Sequence, residues 1–527
     1  MSDRTSTRPS AGSTVLPAPD SGADENTRLK EFGYTQRLDR SVGRLASFAI
    51  GFSAISATTA VFASFGAGYF TAGSPFVWTL FIAIAVFFVW ALIAADVAAK
   101  IPLAGYAYQW TSRINGSGLG WFTGSIALMG WISGMTGVAY VFAGYFGTLF
   151  GWNEAPWQQI LLTVGVLIVC TMINAFGIRL TTIINNIGVS LELVVTVAVT
   201  IVIGVIALVV PANHQPLSVL FTGGKAAGGG SYALAWFAAA LGPFFGLIGV
   251  EASADVAEET KNARRVIPRT MFMALAVSSV IELLMYLVYV LAIKDPHAVA
   301  AASAAPIAEI ITQQVGPIVS RIVVAIALTN IFVCLLANML VATRLTYSMS
   351  RDNMLPFSRQ LRYVSPRHRT PANAVFTLGT LAVILCLTAL ANSGAFIYFL
   401  NIGSLAFFGV YFLQTAGLIV GFRRGTIPKP ETGTFDLGRA RLLVYIIGII
   451  MFVIVEVALI VLPQFAGNGW VFLGLIVVAA LWYLLAVRSR LRRGEAGPTY
   501  AVTHPEEFPA LPVVDPTGDS AKATTRA

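Results

Sequence analysis

Long apolar stretches separated by short polar segments make up most of the chain between residues 45 and 488. A helix needs about 20 apolar residues to cross the ~30 Å hydrocarbon layer of a bilayer. Strands of a membrane barrel would alternate polar and apolar positions, and these stretches do not alternate. The pattern therefore predicts an all-α polytopic membrane protein with twelve transmembrane helices. The predicted spans are residues 45–70, 76–99, 118–150, 157–176, 181–210, 231–258, 268–293, 317–345, 372–391, 396–421, 441–462 and 468–487.

The two ends of the chain differ from this apolar region. Residues 1–40 are rich in Ser, Thr, Pro, Asp and Arg, and residues 494–527 are similarly polar. Such composition is typical of disordered tails, which we expect at both ends. We expect no cleavable signal peptide, because the first apolar stretch starts late and is too long for one.

Composition and charge agree with a membrane location. The chain is 56% hydrophobic and 11% charged, whereas soluble domains carry about a quarter charged residues. All but three of its 34 Lys and Arg residues, namely Lys225, Lys294 and Arg321, fall in the tails and in alternate loops. This bias predicts that both termini are cytoplasmic in the plasma (inner) membrane. The net charge of +9 therefore reports orientation in the lipid bilayer, and no nucleic-acid partner is expected.

Two of the predicted helices are interrupted at comparable depth. The sixth contains "GPFFGLIGVE", Gly242–Glu251, and the first contains "GFSAISATT", Gly51–Thr59. Backbone groups freed at such breaks must face protein, water or a ligand, and paired breaks in two halves indicate a transporter binding site. Half-helix ends suit a zwitterion, because N–H groups bind carboxylates and carbonyls bind amines. The alternative is that the glycines serve helix packing alone.

The spacing of the breaks also predicts the domain organisation. The interruptions lie five helices apart, and a five-helix unit repeated in tandem re-enters the membrane with opposite orientation. We therefore expect two inverted repeats, residues 41–210 and 231–421, followed by two additional C-terminal helices in residues 440–488.

The sequence gives no sign of catalytic or metal chemistry. The three cysteines fall in apolar spans and the four histidines in loops or the tail, so neither a metal site nor a cofactor is expected. The stretch "TGGKAAGGGS" lacks the spacing of a phosphate-binding loop. We expect a protein that is not an enzyme.

Three motifs identify a resemblance. They are "FFGLIGVEASADVAEETKNARRVIPRTM", "AAKIPLAGYAYQWTSR" and "ATRLTYSMSRDNMLPFSRQLRYVSPRHRTP". Together they resemble the amino acid permeases of the amino acid-polyamine-organocation (APC) superfamily, and the AEETKNARR form is most similar to its GABA, amine and choline permease branch. The similarity extends from about residue 35 to 490.

The resemblance implies a mechanism and a set of substrate contacts. Helices one, two, six and seven would rock against a scaffold of helices three, four, eight and nine. Substrate would lie against the unwound parts of helices one and six, where Phe245 matches the aromatic residue that closes over it. The implied contacts are Ser53, Ala54, Ile55, Ser56 and Thr58 in helix one, and Phe244, Phe245, Gly246 and Leu247 in helix six.

Two buried acids are candidates for coupling transport to an ion gradient. Glu251 matches an acid that follows the sixth-helix break in many relatives, and the alternative for it is a structural hydrogen-bonding role. Glu192, in "NNIGVSLE", stands where several proton-driven relatives have a lysine. It is interpreted as a proton carrier, a cation ligand or a structural partner of a neighbouring helix. Three later acids are expected to pair with nearby basic residues on the helix surface: Asp255, Glu258 and Glu259 with Lys261, Arg264 and Arg265.

The leading hypothesis is a secondary active transporter that imports an amino acid or a small amine such as GABA by alternating access. The expected partners are this small-molecule substrate and a coupling H⁺ or Na⁺. The alternatives are an uncoupled exchanger or facilitator, and a non-transporting membrane sensor or scaffold with the same fold.

Overall fold

The computed structural model describes most of the chain. Residues 1–25 and 509–527, which hold much of the two predicted tails, lie outside the described residues. Within the described part, every regular element is a helix. The described ranges are residues 26–27, 29–152, 155–210, 214–226, 230–302, 304–366, 368–390 and 395–508.

Twelve helical spans in the described residues are long and apolar enough to cross a membrane, which confirms the predicted number and the all-α class. The eighth is longer than predicted, because its helix continues through a kink at Gly316. The spans are Arg44–Ala72, Ser74–Ala98, Ser117–Phe150, Pro156–Ala175, Arg179–Val209, Tyr232–Asp255, Ala263–Leu291, Pro306–Arg351, Ala372–Leu390, Asn401–Arg424, Gly438–Val461 and Asn468–Arg492.

Three of the spans that consist of more than one helix, the first, fifth and sixth, bear on the candidate site. The first is divided at Ser56, the fifth contains a π-helical turn, and the sixth is divided twice. A further helix, Tyr106–Asn115, lies between the second and third spans. The component helices are Arg44–Ile55 and Ala57–Ala72; Ile178–Leu191, the π turn Glu192–Thr196 and Val197–Val209; and Tyr232–Ala239, Leu241–Leu247 and Ala252–Asp255.

The first span lies at the centre of the bundle. Its residues are almost all buried, and it packs against the sixth, seventh and eighth spans. The third span packs against the eighth and tenth on the other side of this centre. The eleventh span packs on the second and tenth, and most of the twelfth is exposed, as expected for a pair of appended helices that contact lipid.

Small residues allow the first and sixth spans to approach closely. A Cβ atom placed on Gly242 would lie 2.9 Å from Cβ of Ser64, and one placed on Gly246 would lie 2.7 Å from Cβ of Ala60. The residue numbers rise on one span while they fall on the other, so the two spans run antiparallel along this contact. Both glycines therefore serve packing, as in other membrane helix pairs.

The predicted tails are too long. In the N-terminal segment Leu29, Tyr34 and Leu38 are buried, so residues 29–40 are packed rather than disordered. Tyr34 lies between the guanidinium groups of Arg351 and Arg113, 3.5 and 5.0 Å from its ring centre. A few apolar side chains and these cation–π contacts anchor a segment whose overall composition is polar.

The predicted C-terminal tail needs the same correction. Ala496 and Tyr500 are buried, and the Gly497 N–H donates to the Asp352 carbonyl at 2.8 Å. Both packed segments lie at the same end of the bundle as residues 99–116 and 256–265, and we call this end the basic face.

The contact between the first and sixth spans yields a prediction about stability. Gly242→Ala should lower the melting temperature of the detergent-solubilised protein, because overpacking costs about 1–3 kcal/mol and a backbone carbonyl, that of Ser64, lies on the same side. Gly165→Ala is the matched control, since nothing lies within 4 Å of a Cβ there. Equal melting temperatures for the two variants would contradict the packing role.

Candidate substrate and coupling site

The interruption of the first span is confined to one residue. Ser56 has φ 45° and ψ 96°, so the helix stops at Ile55 and restarts at Ala57. The Ser56 hydroxyl accepts the N–H of Thr59 at 3.2 Å and so caps the helix Ala57–Ala72. The N–H of Thr58, which has lost its helical acceptor, donates to the Glu192 carboxylate at 2.8 Å.

The interruption of the sixth span lies later than its sequence suggests. The helix continues through Pro243, in its first turn, to Leu247, and the chain is non-helical from Ile248 to Glu251. Gly249 has φ 102°, a conformation that favours glycine. A Cβ atom on Gly249 would lie 3.4 Å from Cβ of Ala54. The two interrupted segments therefore meet at the centre of the bundle.

A small cavity lies beside this meeting point. Four of the nine predicted contacts line it, namely Ala54, Ile55, Phe245 and Gly246. The first, third, sixth, eighth and tenth spans contribute its other residues, which are Thr59, Ala60, Trp131, Gly134, Val138, Ile248, Cys334, Asn338, Gly403 and Phe407.

Two polar groups of the cavity residues have no hydrogen-bond partner among the described residues. They are the indole N–H of Trp131 and the amide oxygen of Asn338. Buried polar groups in native proteins are nearly always paired, so each such group calls for an explanation. One donor and one acceptor beside interrupted helices are what a small polar ligand would use.

The other five predicted contacts have different surroundings. Ser56 and Thr58 bind Glu192, and Phe244 packs against Phe408 with ring centres 5.5 Å apart. Ser53 and Leu247 are buried and do not line the cavity. Substrate contact stays a prediction for all nine residues.

The nine predicted contacts include no residue of the wall contributed by the third, eighth and tenth spans. Asn338 is a polar residue in an apolar helix, and Gly134 and Gly403 leave room at the cavity. These were the available signals, but such residues are also common at packed helix contacts. Only the arrangement of the packed helices shows whether such a residue lines a cavity or serves helix packing.

Glu192 closes the break in the first span. Its carboxylate accepts the Thr58 N–H at 2.8 Å, and the Ser56 hydroxyl donates to it at 3.2 Å. Negative charge at a helix N-terminus is favourable because exposed N–H groups carry partial positive charge. The carboxylate thus binds to the start of helix Ala57–Ala72, and its role in coupling stays a prediction.

Glu251 lies at the end of the break in the sixth span and does not line the cavity. One carboxylate oxygen accepts the indole N–H of Trp90 at 2.9 Å. The other accepts the hydroxyls of Tyr106 at 2.8 Å and Tyr411 at 3.0 Å. The three neutral donors tie the interrupted segment to the second span, to helix Tyr106–Asn115 and to the tenth span.

The family model described as amino acid permease matches residues 42–482. The chain belongs to the amino acid permease family. Its match to a branched-chain amino acid permease of Lactococcus lactis is 29% identical and covers 56% of this chain and 64% of that protein. The match to an amino-acid permease (BAT1) of Arabidopsis thaliana is 24% identical and covers 84% of this chain and 89% of that protein. The match to an uncharacterized transporter of Mycobacterium tuberculosis is 28% identical and covers 89% of this chain and 96% of that protein.

Buried ion pairs connect the segment that follows the sixth span to the eighth span of this permease at the basic face. Arg344 donates to both carboxylate oxygens of Glu259 at 2.9 and 2.7 Å, and Arg351 donates to both of Glu258 at 2.9 Å. Asp255, Glu258 and Glu259 are all buried, so the prediction that they pair with nearby basic residues on the helix surface is wrong. Burial raises the pKa of Glu259, and Arg344 opposes that rise.

The N-terminal segment adds hydrogen bonds beside these buried ion pairs. The Tyr34 hydroxyl donates to Asp352 at 2.8 Å, and the Tyr108 hydroxyl donates to the same carboxylate at 2.8 Å. Burial raises the pKa of Asp352, while Arg351 and the two hydroxyls lower it. The N-terminal segment, helix Tyr106–Asn115, the segment after the sixth span and the end of the eighth span thus meet at the basic face.

The contacts of Glu251 give a prediction. Glu251→Gln should destabilise the permease by about 1–3 kcal/mol, because one of the two oxygens that accept from Trp90, Tyr106 and Tyr411 becomes an amide NH2 group, which cannot accept. Adding Trp90→Phe removes the indole N–H, one of the donors that compete for the remaining amide oxygen. The double variant should therefore melt at a higher temperature than the sum of the two single-variant effects predicts.

Measuring uptake per inserted molecule separates the two roles of Glu251. Loss of uptake at an unchanged melting temperature would favour coupling over the structural role. Unchanged uptake per inserted molecule would reject the coupling role.

Proposed function

We propose that this permease is a secondary active transporter that imports a small zwitterionic solute by alternating access. The observation that carries the proposal is the cavity beside the two interrupted helices, with the unpaired Trp131 N–H and Asn338 oxygen among its residues. Interrupted helices supply backbone N–H and C=O groups for the charged ends of a substrate. The ion pairs that close the basic face fit a state in which one access route is shut.

The proposed substrate is an α-amino acid with an apolar side chain. Among the described residues, no Lys, Arg, Asp or Glu lines the cavity, so a second charged group on the substrate would have no ionic partner from them. Ile55, Val138 and Phe245 offer apolar surface to an aliphatic side chain. The name of the Lactococcus relative, a branched-chain amino acid permease, supports the same class.

GABA or another small amine is the second candidate. The rings of Trp131, Phe245 and Phe407 line the cavity, and aromatic faces attract ammonium groups by about 0.5–2 kcal/mol. The Glu192 carboxyl group lies at the break in the first span. These features fit the branch that the AEETKNARR motif resembles.

We propose that import is driven by an H⁺ or Na⁺ gradient and that the basic face is cytoplasmic in the plasma membrane. The positive-inside rule supports this orientation, since nearly all basic residues belong to one side. Glu192 and Glu251 remain the coupling candidates proposed from the sequence.

Uptake in proteoliposomes tests the function. Radiolabelled L-leucine, GABA and choline are offered separately under an imposed pH or Na⁺ gradient. We expect saturable accumulation of L-leucine above the external concentration, and its loss when the gradient is collapsed. Saturable equilibration without accumulation would indicate an uncoupled facilitator. Binding without uptake would indicate a sensor or scaffold and would reject the proposal.

The unpaired indole of Trp131 gives a matched test. Trp131→Phe keeps an aromatic ring and removes the N–H, so KM for uptake should rise about tenfold or more, since a hydrogen bond to a charged group contributes about 1.5–3 kcal/mol. Trp482→Phe is the control, because that indole N–H is also buried and has no partner in the part of the chain that the structure describes, but it lies in the twelfth span. Equal KM values for the two variants would argue against substrate contact by Trp131.

A further inference from the structure

Glu282 in the seventh span is a buried acid with an unusual lack of partners. Its side chain is fully buried, with 0% exposure, and neither carboxylate oxygen has a hydrogen-bond partner among the described residues. An ionised carboxylate in such a place would lack both water and a compensating charge. Its cost would be several kcal/mol or more.

The carboxyl group faces the contact between the first and sixth spans. A Cβ atom on Gly246 would lie 3.2 and 3.5 Å from the two oxygens of Glu282 and 2.7 Å from Cβ of Ala60. Gly246 also lines the cavity. The acid therefore lies directly behind a wall of the candidate substrate site, and a small shift of the sixth span would change its access to the cavity.

The groups around Glu282 do not neutralise it. The charged side chain that acts on it is Glu192 of the fifth span, another acid. Tyr286, one turn further along the seventh span, shares a 2.8 Å hydrogen bond with Ser64, and Ser64 donates to the Ala60 carbonyl at 2.6 Å. The first and sixth spans contribute Ala60 and Gly246, which do not titrate. Within the described residues, a proton is the remaining means of removing the charge.

The two acids have opposite environments. Glu192 accepts an N–H and a hydroxyl at a helix N-terminus, which stabilises its ionised form. Glu282 accepts nothing and lies in electrostatic range of Glu192. Neighbouring carboxyl groups in such contrasting surroundings take different protonation states.

We propose that Glu282 is the proton-binding site that couples transport to a proton gradient, an inference that rests on the proposed transport function. In the closed arrangement Glu282 is a neutral carboxylic acid behind Gly246. When the sixth span shifts and water reaches the group, the O–H bond breaks, the electron pair stays on the carboxylate and the proton goes to water. Return of the carboxylate to its buried position requires a proton to be taken up again, so proton movement accompanies movement of the span that lines the substrate cavity.

The test measures protons and solute together. Proteoliposomes loaded with the pH-sensitive dye pyranine receive L-leucine, or GABA if the uptake assay selects GABA. Wild-type protein should couple solute entry to internal acidification. Glu282→Gln, which cannot exchange a proton, should lower the ratio of protons to solute more than tenfold. A merely structural defect would lower both fluxes together and leave the ratio unchanged.

Glu456→Gln is the matched control. Glu456 is an acid in the eleventh span with one buried oxygen that has no hydrogen-bond partner among the described residues, and it does not line the cavity. Its replacement should leave the ratio at the wild-type value. A wild-type ratio in Glu282→Gln would overturn the proposal, as would wild-type uptake that moves no protons. Failure of wild-type uptake for every solute would instead overturn the proposed function.

A second measurement requires no variant. Dicyclohexylcarbodiimide reacts with protonated carboxyl groups in apolar surroundings, and peptide mass spectrometry locates the adduct. We expect labelling at Glu282 and none at Glu192 in the wild-type protein. Labelling at Glu456 with none at Glu282 would show that reagent reached the membrane interior and that Glu282 carries no proton, and it would overturn the proposal.

Discussion

Backbone polar groups inside a bilayer need partners, and the centre of this permease is organised around two places where the helices fail to supply them. At Ser56 the lost acceptor is replaced by Glu192 and by the serine's own hydroxyl. At Ile248–Glu251 the chain turns through Gly249, and the Glu251 side chain is held by three donors from other helices. Each break depends on residues distant in sequence, which is why neither could persist in an isolated helix.

Gly246 contributes both to the close packing of the first and sixth spans and to the surroundings of the Glu282 carboxyl group. Gly246 lets the sixth span touch Ala60, and the absence of a side chain there leaves the Glu282 carboxyl against the backbone. A larger residue would separate the spans and cover the acid at once. The glycines of the GPFFGLIGVE stretch therefore combine the two roles that the sequence presented as alternatives. Gly242 and Gly246 serve packing, and Gly249 forms the turn of the interrupted segment.

The sequence was sufficient for features that depend on local composition. Span length and apolar content predicted twelve helices, and Gly and Ser located the interrupted regions to within a few residues. Features that depend on side chains meeting across the bundle were not predictable. Glu258 and Glu259 looked like surface charges because their partners, Arg351 and Arg344, lie more than 80 residues away. The packing of Tyr34 and Tyr500 depends on Arg351 and Arg362, which are still more distant from them in sequence.

The ion pairs at the basic face also limit how the molecule can move. Buried bidentate pairs are costly to separate, because each would leave an uncompensated charge. If the sixth span moves away from the eighth during alternating access, Glu258 and Glu259 must reach water or other cations as they part from Arg351 and Arg344. Lys261, Arg264 and Arg265 lie two to six residues beyond Glu259. Arg264 of this cluster is paired with Glu431 at 2.9 Å in the present arrangement, so Lys261 and Arg265 are the members of the cluster that remain to compensate the two acids as they separate.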